Sequence, residues 1–214
     1  MLAKIKEELS ETNTSLVAVS KTRSNSQILD IYNQGHRLFG ENRVPELVEK
    51  YESLPQDIQW HAIGTLQTNK VKYIAPFISL IHSVDSVKLL DKINSEAKKN
   101  DRVIDVLLQI KIGMEEAKHG FEMAFLEKEL TSKNIGDAYA NVQIVGLMGM
   151  ASFVDDESQV SKEFSSLKTF FDTCQSKFFT PETFNTLSMG MSGDYKIAVV
   201  EGSTMVRIGS LLFS

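Results

Sequence analysis

Leu16-Val17-Ala18-Val19-Ser20-Lys21-Thr22-Arg23-Ser24 is an apolar run that ends abruptly in a lysine and then a turn. Leu16 to Val19 is short, continuous and partly β-branched, which suits a strand buried on both faces, as in a parallel sheet covered by helices. Ser24 opens a helix: Gln27 stands three residues on, so the two form a capping box ahead of Ile28, Leu29, Ile31 and Tyr32. Lys21 therefore lies just past the carboxyl end of a strand, at the edge where α/β proteins hold their ligands. A lysine after a strand is ordinarily just solvated, so this one gains meaning only from what else reaches the same edge.

The pattern repeats outward from this unit. Arg37-Leu38-Phe39-Gly40 reads as a second strand. Asn42 reads as the cap of a helix with Pro45 and Glu46 in its first turn and Val44, Leu47, Val48 and Tyr51 at helical spacing. Ile58 to Gly64 is a third strand, Thr68 to Ala75 a helix, Leu80 to Val84 a fourth strand, and Asp85 or Ser86 caps the helix that runs to about Asn100. Val103 to Ile112, the most apolar of the strands, reads as central. A polar loop, Gly113 to Gly120, leads into a helix bearing Phe121, Phe125, Leu126 and Leu130. Val142 to Met148 is a sixth strand, and Asp155-Asp156-Glu157 opens a helix whose Val160, Phe164, Leu167, Phe171 and Cys174 share one face, which makes Cys174 a core residue rather than a nucleophile. Thr186 to Met189 is a seventh strand, Gly193 to Val200 a short helix, and Met205 to Ile208 an eighth strand. Eight strand-then-helix units predict a single-domain (β/α)8 TIM-type barrel over residues 1–214, with residues 1–14 an amphipathic helix ahead of the first strand. A doubly wound open sheet is the alternative, because spacing alone does not show that the last strand closes on the first.

Composition narrows the function. The chain has 214 residues, 42% hydrophobic and 24% charged, which is the balance of an ordinary globular domain. Its net charge of -5 argues against a general nucleic-acid binder. The single cysteine, Cys174, forms no intrachain disulfide and no Cys/His metal cluster is evident, so no metal is expected and a reducing cytoplasm is the expected location. The charged N-terminus lacks the apolar segment of a signal peptide, and the longest uncharged stretch, Ile74 to Val84, is far short of the roughly 20 residues that cross a bilayer, so no membrane association is expected.

In a barrel every strand delivers its last residues to one rim, so motifs far apart in sequence meet. Lys21 ends the first strand, Gly40-Glu41-Asn42 the second, Leu187-Ser188-Met189-Gly190-Met191-Ser192 the seventh and Arg207-Ile208-Gly209-Ser210 the eighth. Gly190 and Gly209 permit close backbone approach, and Ser188 and Ser210 offer hydroxyls beside backbone N–H groups, which together suit a phosphate. A lysine able to form an imine, a phosphate cradle and an arginine in one pocket point to a phosphorylated aldehyde such as pyridoxal phosphate. His61, His82 and His119 read as satisfied imidazoles rather than bases, Trp60 as core, and Lys70 and Lys72 as a solvated face.

These motifs, together with Trp60-His61-Ala62-Ile63-Gly64-Thr65-Leu66-Gln67-Thr68-Asn69-Lys70, Gly146-Leu147-Met148 and Gly202-Ser203-Thr204-Met205-Val206-Arg207-Ile208-Gly209, closely resemble the pyridoxal phosphate homeostasis family, also called YggS or PROSC. The resemblance runs in order over nearly the whole chain. It implies a barrel like the N-terminal domain of alanine racemase, with pyridoxal phosphate covalent to Lys21 as an internal aldimine. It also implies that Ser188, Gly209 and Ser210 hold the phosphate, that Arg207 faces the pyridine nitrogen, and that Asn42 and Met189 line the pocket. Ser210 stands where the family usually has threonine, Thr65 where proline is common, and Gly193 where an acidic residue is frequent; none of these removes a cofactor contact. Alanine racemases use a second base, a tyrosine from a C-terminal domain of the partner subunit, whereas this chain stops just after the eighth strand. The function implied is a monomeric carrier of pyridoxal phosphate, passing it to apoenzymes and influencing amino-acid and keto-acid balance, with no catalytic residue assigned. The alternative is a weak amino-acid racemase or another enzyme acting at the α-carbon, with Lys21 as its base.

Overall fold

The computed structural model describes residues 1–113, 119–132, 135 and 138–213. Its strands are β1 (Ser15–Val19), β2 (Leu38–Glu41), β3 (Gln59–Ala62), β4 (Leu80–Val84), β5 (Ile104–Ile110), β6 (Val142–Gly149), β7 (Thr186–Met191) and β8 (Met205–Ile208). The helices are α1 (Leu2–Ser10), α2 (Asn25–Tyr32), α3 (Val44–Ser53), α4 (Val71–Ile74), α5 (Val87–Lys99), α6 (Met123–Thr131), α7 (Glu157–Phe178) and α8 (Tyr195–Val200). Each strand pairs in parallel with the next. β1 also pairs with β8, Ser15 opposite Met205 and Ala18 opposite Ile208, so the sheet is a closed barrel. That pairing excludes the open-sheet alternative and leaves no strand central, β5 included. Among the described residues no helix is long and apolar enough to cross a membrane.

The strands are short and apolar because both faces are covered. One face meets the helices in a large core that takes in Phe39, Trp60, Phe164 and Phe184. The other fills the barrel lumen, where Val17, Leu80, Leu107, Met148 and Met205 pack together. Leu2, Ile5 and Leu9 bury one stripe of α1, and Tyr195 at the start of α8 donates to Glu8 at 2.8 Å. Cys174 is fully buried, and burial pushes its thiol up to about 12, so it is a core residue as expected.

Local signals explain most boundaries. Ser24 and Gln27 make the reciprocal capping box, Ser86 caps α5 through Leu89 N–H, and Asp156 caps α7 through Ser158 and Gln159 N–H. Asn42 is no cap: Arg43 occupies that position of α3 without a side-chain hydrogen bond. Phe121 is not helical either, since it pairs with Ile110 as an isolated bridge and extends the sheet before α6 begins. Thr68 to Lys70 is a 3-10 turn ahead of a four-residue α4, as fits a connection too short for the full helix expected there. Of the predicted loop Gly113 to Gly120, residues 114–118 lie outside the described residues.

One glycine was needed and not foreseen as such. The register between β5 and β6 slips after Val106 and Ile144, leaving Val145 as an extra residue before Gly146. A Cβ on Gly146 would stand 1.7 Å from the Thr186 carbonyl oxygen, so only glycine lets β6 approach β7 there.

Candidate functional site

Lys21 is the first residue outside the barrel. Ser20 N–H still donates to the Gly40 carbonyl at 3.0 Å, and Arg23 N–H closes a turn back to the Ser20 carbonyl at 3.0 Å. Lys21 and Thr22 are the central pair of that turn. Thr22 has φ 63°, a left-handed conformation that glycine adopts freely and a β-branched residue does not. Three contacts hold it there: Thr22 N–H donates to Glu46 at 3.1 Å, Ser20 Oγ donates to Glu41 at 2.6 Å, and Lys50 Nζ donates to the Ser20 carbonyl at 2.8 Å. Lys50 also pairs with Glu41 at 2.7 Å beneath α3. Glu41 is 1% exposed and its second oxygen has no partner among the described residues; burial pushes the carboxyl up, opposed by Lys50 and the Ser20 hydroxyl. Lys21 itself is exposed.

The cavity it borders lies at the carboxyl ends of the strands, with a volume near 930 Å³. Asn42, Arg207, Gly209 and Ser210 line it with Lys21, so five of the seven residues expected at the site are gathered there. Asn42 is pinned by Gly64, whose missing Cβ would fall 2.4 Å from the Asn42 carbonyl oxygen, and Gly64 is itself fixed by Ser83 Oγ at 2.6 Å. Gly209 opens a tight turn in which Leu212 and Phe213 N–H return to its carbonyl, at 2.9 and 3.2 Å. The Ser210 and Leu211 N–H groups, in the middle of that turn, have no acceptor among the described residues. Ser192 Oγ accepts from Gly209 N–H at 3.3 Å, which leaves the Ser192 hydroxyl hydrogen free for a ligand. Unpaired N–H groups in a turn beside a hydroxyl suit an anion.

Ser188 and Met189 are not on this cavity. Both are fully buried, Met189 in the layer under the helices and Ser188 in the lumen, where its hydroxyl meets Arg207 and His82. Ser192, four residues later, lines the cavity instead. β7 runs on to Met191, two residues past the predicted end, and this sinks Ser188 below the rim. The turn that stops it is built on Asp194, whose carboxylate accepts from Met191 N–H at 2.5 Å.

Arg207 is 4% exposed. Its Nη1 donates to the Ser188 carbonyl at 2.9 Å and to Ser188 Oγ at 2.5 Å, and its Nη2 to the Gly149 carbonyl at 3.1 Å. Burial lowers its pKa to about 10, and the nearby Asp194 carboxylate opposes that shift, so the guanidinium is charged at neutral pH. His61 and His82 are buried and bonded to each other at 3.0 Å, as satisfied imidazoles should be. His119 is different: it is exposed and stands 3.6 Å from Asp85. Lys72 is exposed and Lys70 half-buried, both over the Tyr73 ring. No group of His, Cys, Asp and Glu among the described residues is arranged to hold a metal ion.

The alanine racemase N-terminal domain family matches residues 2–214. A pyridoxal phosphate homeostasis protein of Aquifex aeolicus is 42% identical over 204 residues, 95% of this chain and 87% of that one. The chain belongs to the pyridoxal phosphate homeostasis protein family. The human member is 40% identical over 208 residues, covering 92% of this chain and 75% of its own. PipY of Synechococcus elongatus, solved with pyridoxal phosphate bound, is 34% identical, with a TM-score of 0.88 over 100% of this chain and 98% of its own. An alanine racemase of Clostridium difficile, 16% identical with a TM-score of 0.75, shares the fold of the family over 99% of this chain and 55% of its own.

Proposed function

We propose that this chain holds pyridoxal phosphate reversibly in the cavity at the carboxyl ends of the strands, covalently through Lys21. By this reading it is an intracellular, monomeric holder that limits free aldehyde and passes the cofactor to apoenzymes. The observation that carries it is the meeting of Lys21, the Gly209 turn and Arg207 on one cavity, in a family whose member PipY holds that cofactor. Pyridoxal phosphate supplies an aldehyde that condenses with an amine, losing water, and a ring that can take up electron density.

The chain's own residues fit that group. Lys21 Nζ is the exposed amine, presented on a strained turn that Glu41, Glu46 and Lys50 fix from behind. Ser192 Oγ and the N–H groups of Ser210 and Leu211 take the phosphate, with Gly209 giving the close approach: a Cβ there would already touch the Val19 carbonyl oxygen at 3.1 Å. Arg207, locked by three hydrogen bonds, keeps N–H groups for the pyridine nitrogen, and Asn42 forms the side wall. A guanidinium charged at neutral pH accepts no proton and disfavours a protonated ring, so the ring is a weaker electron sink than one paired with a carboxylate. Holding the cofactor needs no more than this. None of the five tyrosines lines the cavity.

A test separates holder from enzyme. The loaded protein is incubated with L-alanine in deuterated water, and then with a pyridoxal phosphate-dependent apoenzyme. The holder reading predicts α-deuterium no faster than with free cofactor, together with recovery of the apoenzyme's activity. Rapid deuterium incorporation that disappears in Lys21→Ala would overturn it in favour of a racemase-like enzyme.

A further inference from the structure

The lumen of this barrel is not wholly apolar. From Arg207 a chain of buried polar atoms crosses to the opposite mouth: Arg207 Nη1 to Ser188 Oγ at 2.5 Å, Ser188 Oγ to His82 Nδ1 at 3.0 Å, and His82 Nε2 to His61 Nδ1 at 3.0 Å. Ser188 and His82 are 0% exposed. His61 borders a cavity at the amino ends of the strands, beside Leu80, Asp105 and Met205. The chain thus starts at the cofactor cavity and ends at a second cavity on the far side of the barrel.

The direction of every hydrogen bond in it follows from donor counting. Arg207 only donates, so Ser188 Oγ accepts from it. The Ser188 hydroxyl hydrogen then has His82 Nδ1 as its acceptor, and that nitrogen must be bare. A neutral imidazole with a bare Nδ1 carries its hydrogen on Nε2, so His82 donates to His61 Nδ1, and His61 in turn carries its hydrogen on Nε2. Each dipole points its negative end at the guanidinium. Reversing the chain would put a His82 N–H against Ser188 Oγ and leave the serine hydrogen without an acceptor among the described residues, at the cost of an unsatisfied buried group. Burial holds both imidazoles neutral: His61 is lowered to about 4, and His82, with His61 and Arg207 beside it, lies well below the ordinary histidine value.

We propose that Ser188, His82 and His61 form a one-way hydrogen-bond relay through the barrel that fixes Arg207, making His82 a positioning residue for the group Arg207 faces in the cofactor cavity. His82 touches no ligand. It keeps the Ser188 hydroxyl turned away from Arg207, so that the guanidinium can neither rotate nor meet a competing donor. The ligand consequence rests on the cofactor reading above; the relay itself does not.

The direct test uses the unloaded protein labelled with ¹⁵N-histidine at pH 7. With four histidines the spectrum is simple, and His82→Asn and His61→Asn assign two of them. The relay requires both His82 and His61 neutral with the hydrogen on Nε2. Finding His82 with its hydrogen on Nδ1, or protonated, would overturn it. The second test compares loaded His82→Asn, which keeps an acceptor facing Ser188, with His82→Leu, which removes it, and with Ser188→Ala in case His82→Leu does not fold. The relay predicts a shifted visible band and roughly tenfold weaker cofactor binding in the Leu and Ala variants, with Asn restoring both. Bands and affinities equal to wild type in the Leu or Ala variant would contradict a positioning role. If the wild type instead fails to load on Lys21, the cofactor reading fails while the histidine result still decides the relay.

Discussion

Ser188 and Ser192 show how much chemistry depends on depth along a strand. Both sit in the same motif with the same alternation, but one hydroxyl is sealed in the lumen against Arg207 and His82 and the other borders the cavity. Ser192→Ala should therefore weaken pyridoxal phosphate binding about tenfold, roughly the 1.4 kcal/mol of one charge-assisted hydrogen bond, and leave binding of unphosphorylated pyridoxal unchanged, which a paired titration measures. Equal losses for both ligands would mean that Ser192 does not meet the phosphate. Thr22 carries the turn's strain at φ 63°. Relief of about 1 to 3 kcal/mol on Thr22→Gly exceeds the roughly 0.5 to 1 kcal/mol that glycine loses to chain entropy, so the variant should unfold at higher urea, by about 1 kcal/mol. A lower urea midpoint would show that the threonine is not strained there. Lys21, Arg207 and Gly209 were legible because each ends or follows a short apolar strand. Ser192 was legible only as the end of a rim motif and not as a candidate phosphate contact, because the signal that sets its depth, Asp194 closing a turn on Met191, marks the end of β7 only once that strand is known to run on to Met191.

At the level of elements, α3 is the brace for the Lys21 turn. It offers Glu46 to Thr22 N–H and buries Lys50 between Glu41 and the Ser20 carbonyl. Burying two charges is costly, and the pair is tolerable only because each finds partners. Lys50→Met leaves Glu41 buried with Ser20 as its only donor among the described residues, and should lower unfolding free energy by about 3 to 5 kcal/mol, whereas Glu41→Gln with Lys50→Met should lower it by less. Additive losses in that cycle, read from urea titrations, would contradict a coupled pair. The capping box at Ser24 and the caps at Ser86 and Asp156 were open to sequence reading because they are local. The Glu41–Lys50 pair was not, since it joins a strand end to the middle of a helix and only the fold brings them together. The same holds for Phe121, whose apolar ring fits a helix face as well as the bridge to Ile110 it actually forms.

Across the whole molecule, alternation alone predicted eight strands, but closure depends on the pairing of β1 with β8, which no local pattern records. The barrel buries three histidines, and burial lowers His36 and His61 to about 4 and His82 well below its ordinary value. The unfolded chain then binds more protons than the folded one between roughly pH 4 and 6.5, so stability rises with pH through that window and is lost on acidification. His36 and His61 each contribute on the order of 3 kcal/mol. Urea midpoints taken from pH 7 to pH 4.5 should fall, and fall less steeply in His36→Asn; a flat profile would mean that the imidazoles are not held neutral. The central claim, that this barrel brings Lys21 to a pyridoxal phosphate site, is tested most directly by adding the cofactor, recording the visible spectrum before and after borohydride, and mapping the modified peptide. The account predicts a yellow band that vanishes on reduction and a pyridoxyl group on Lys21. A colourless protein, or a label on another lysine, would contradict it.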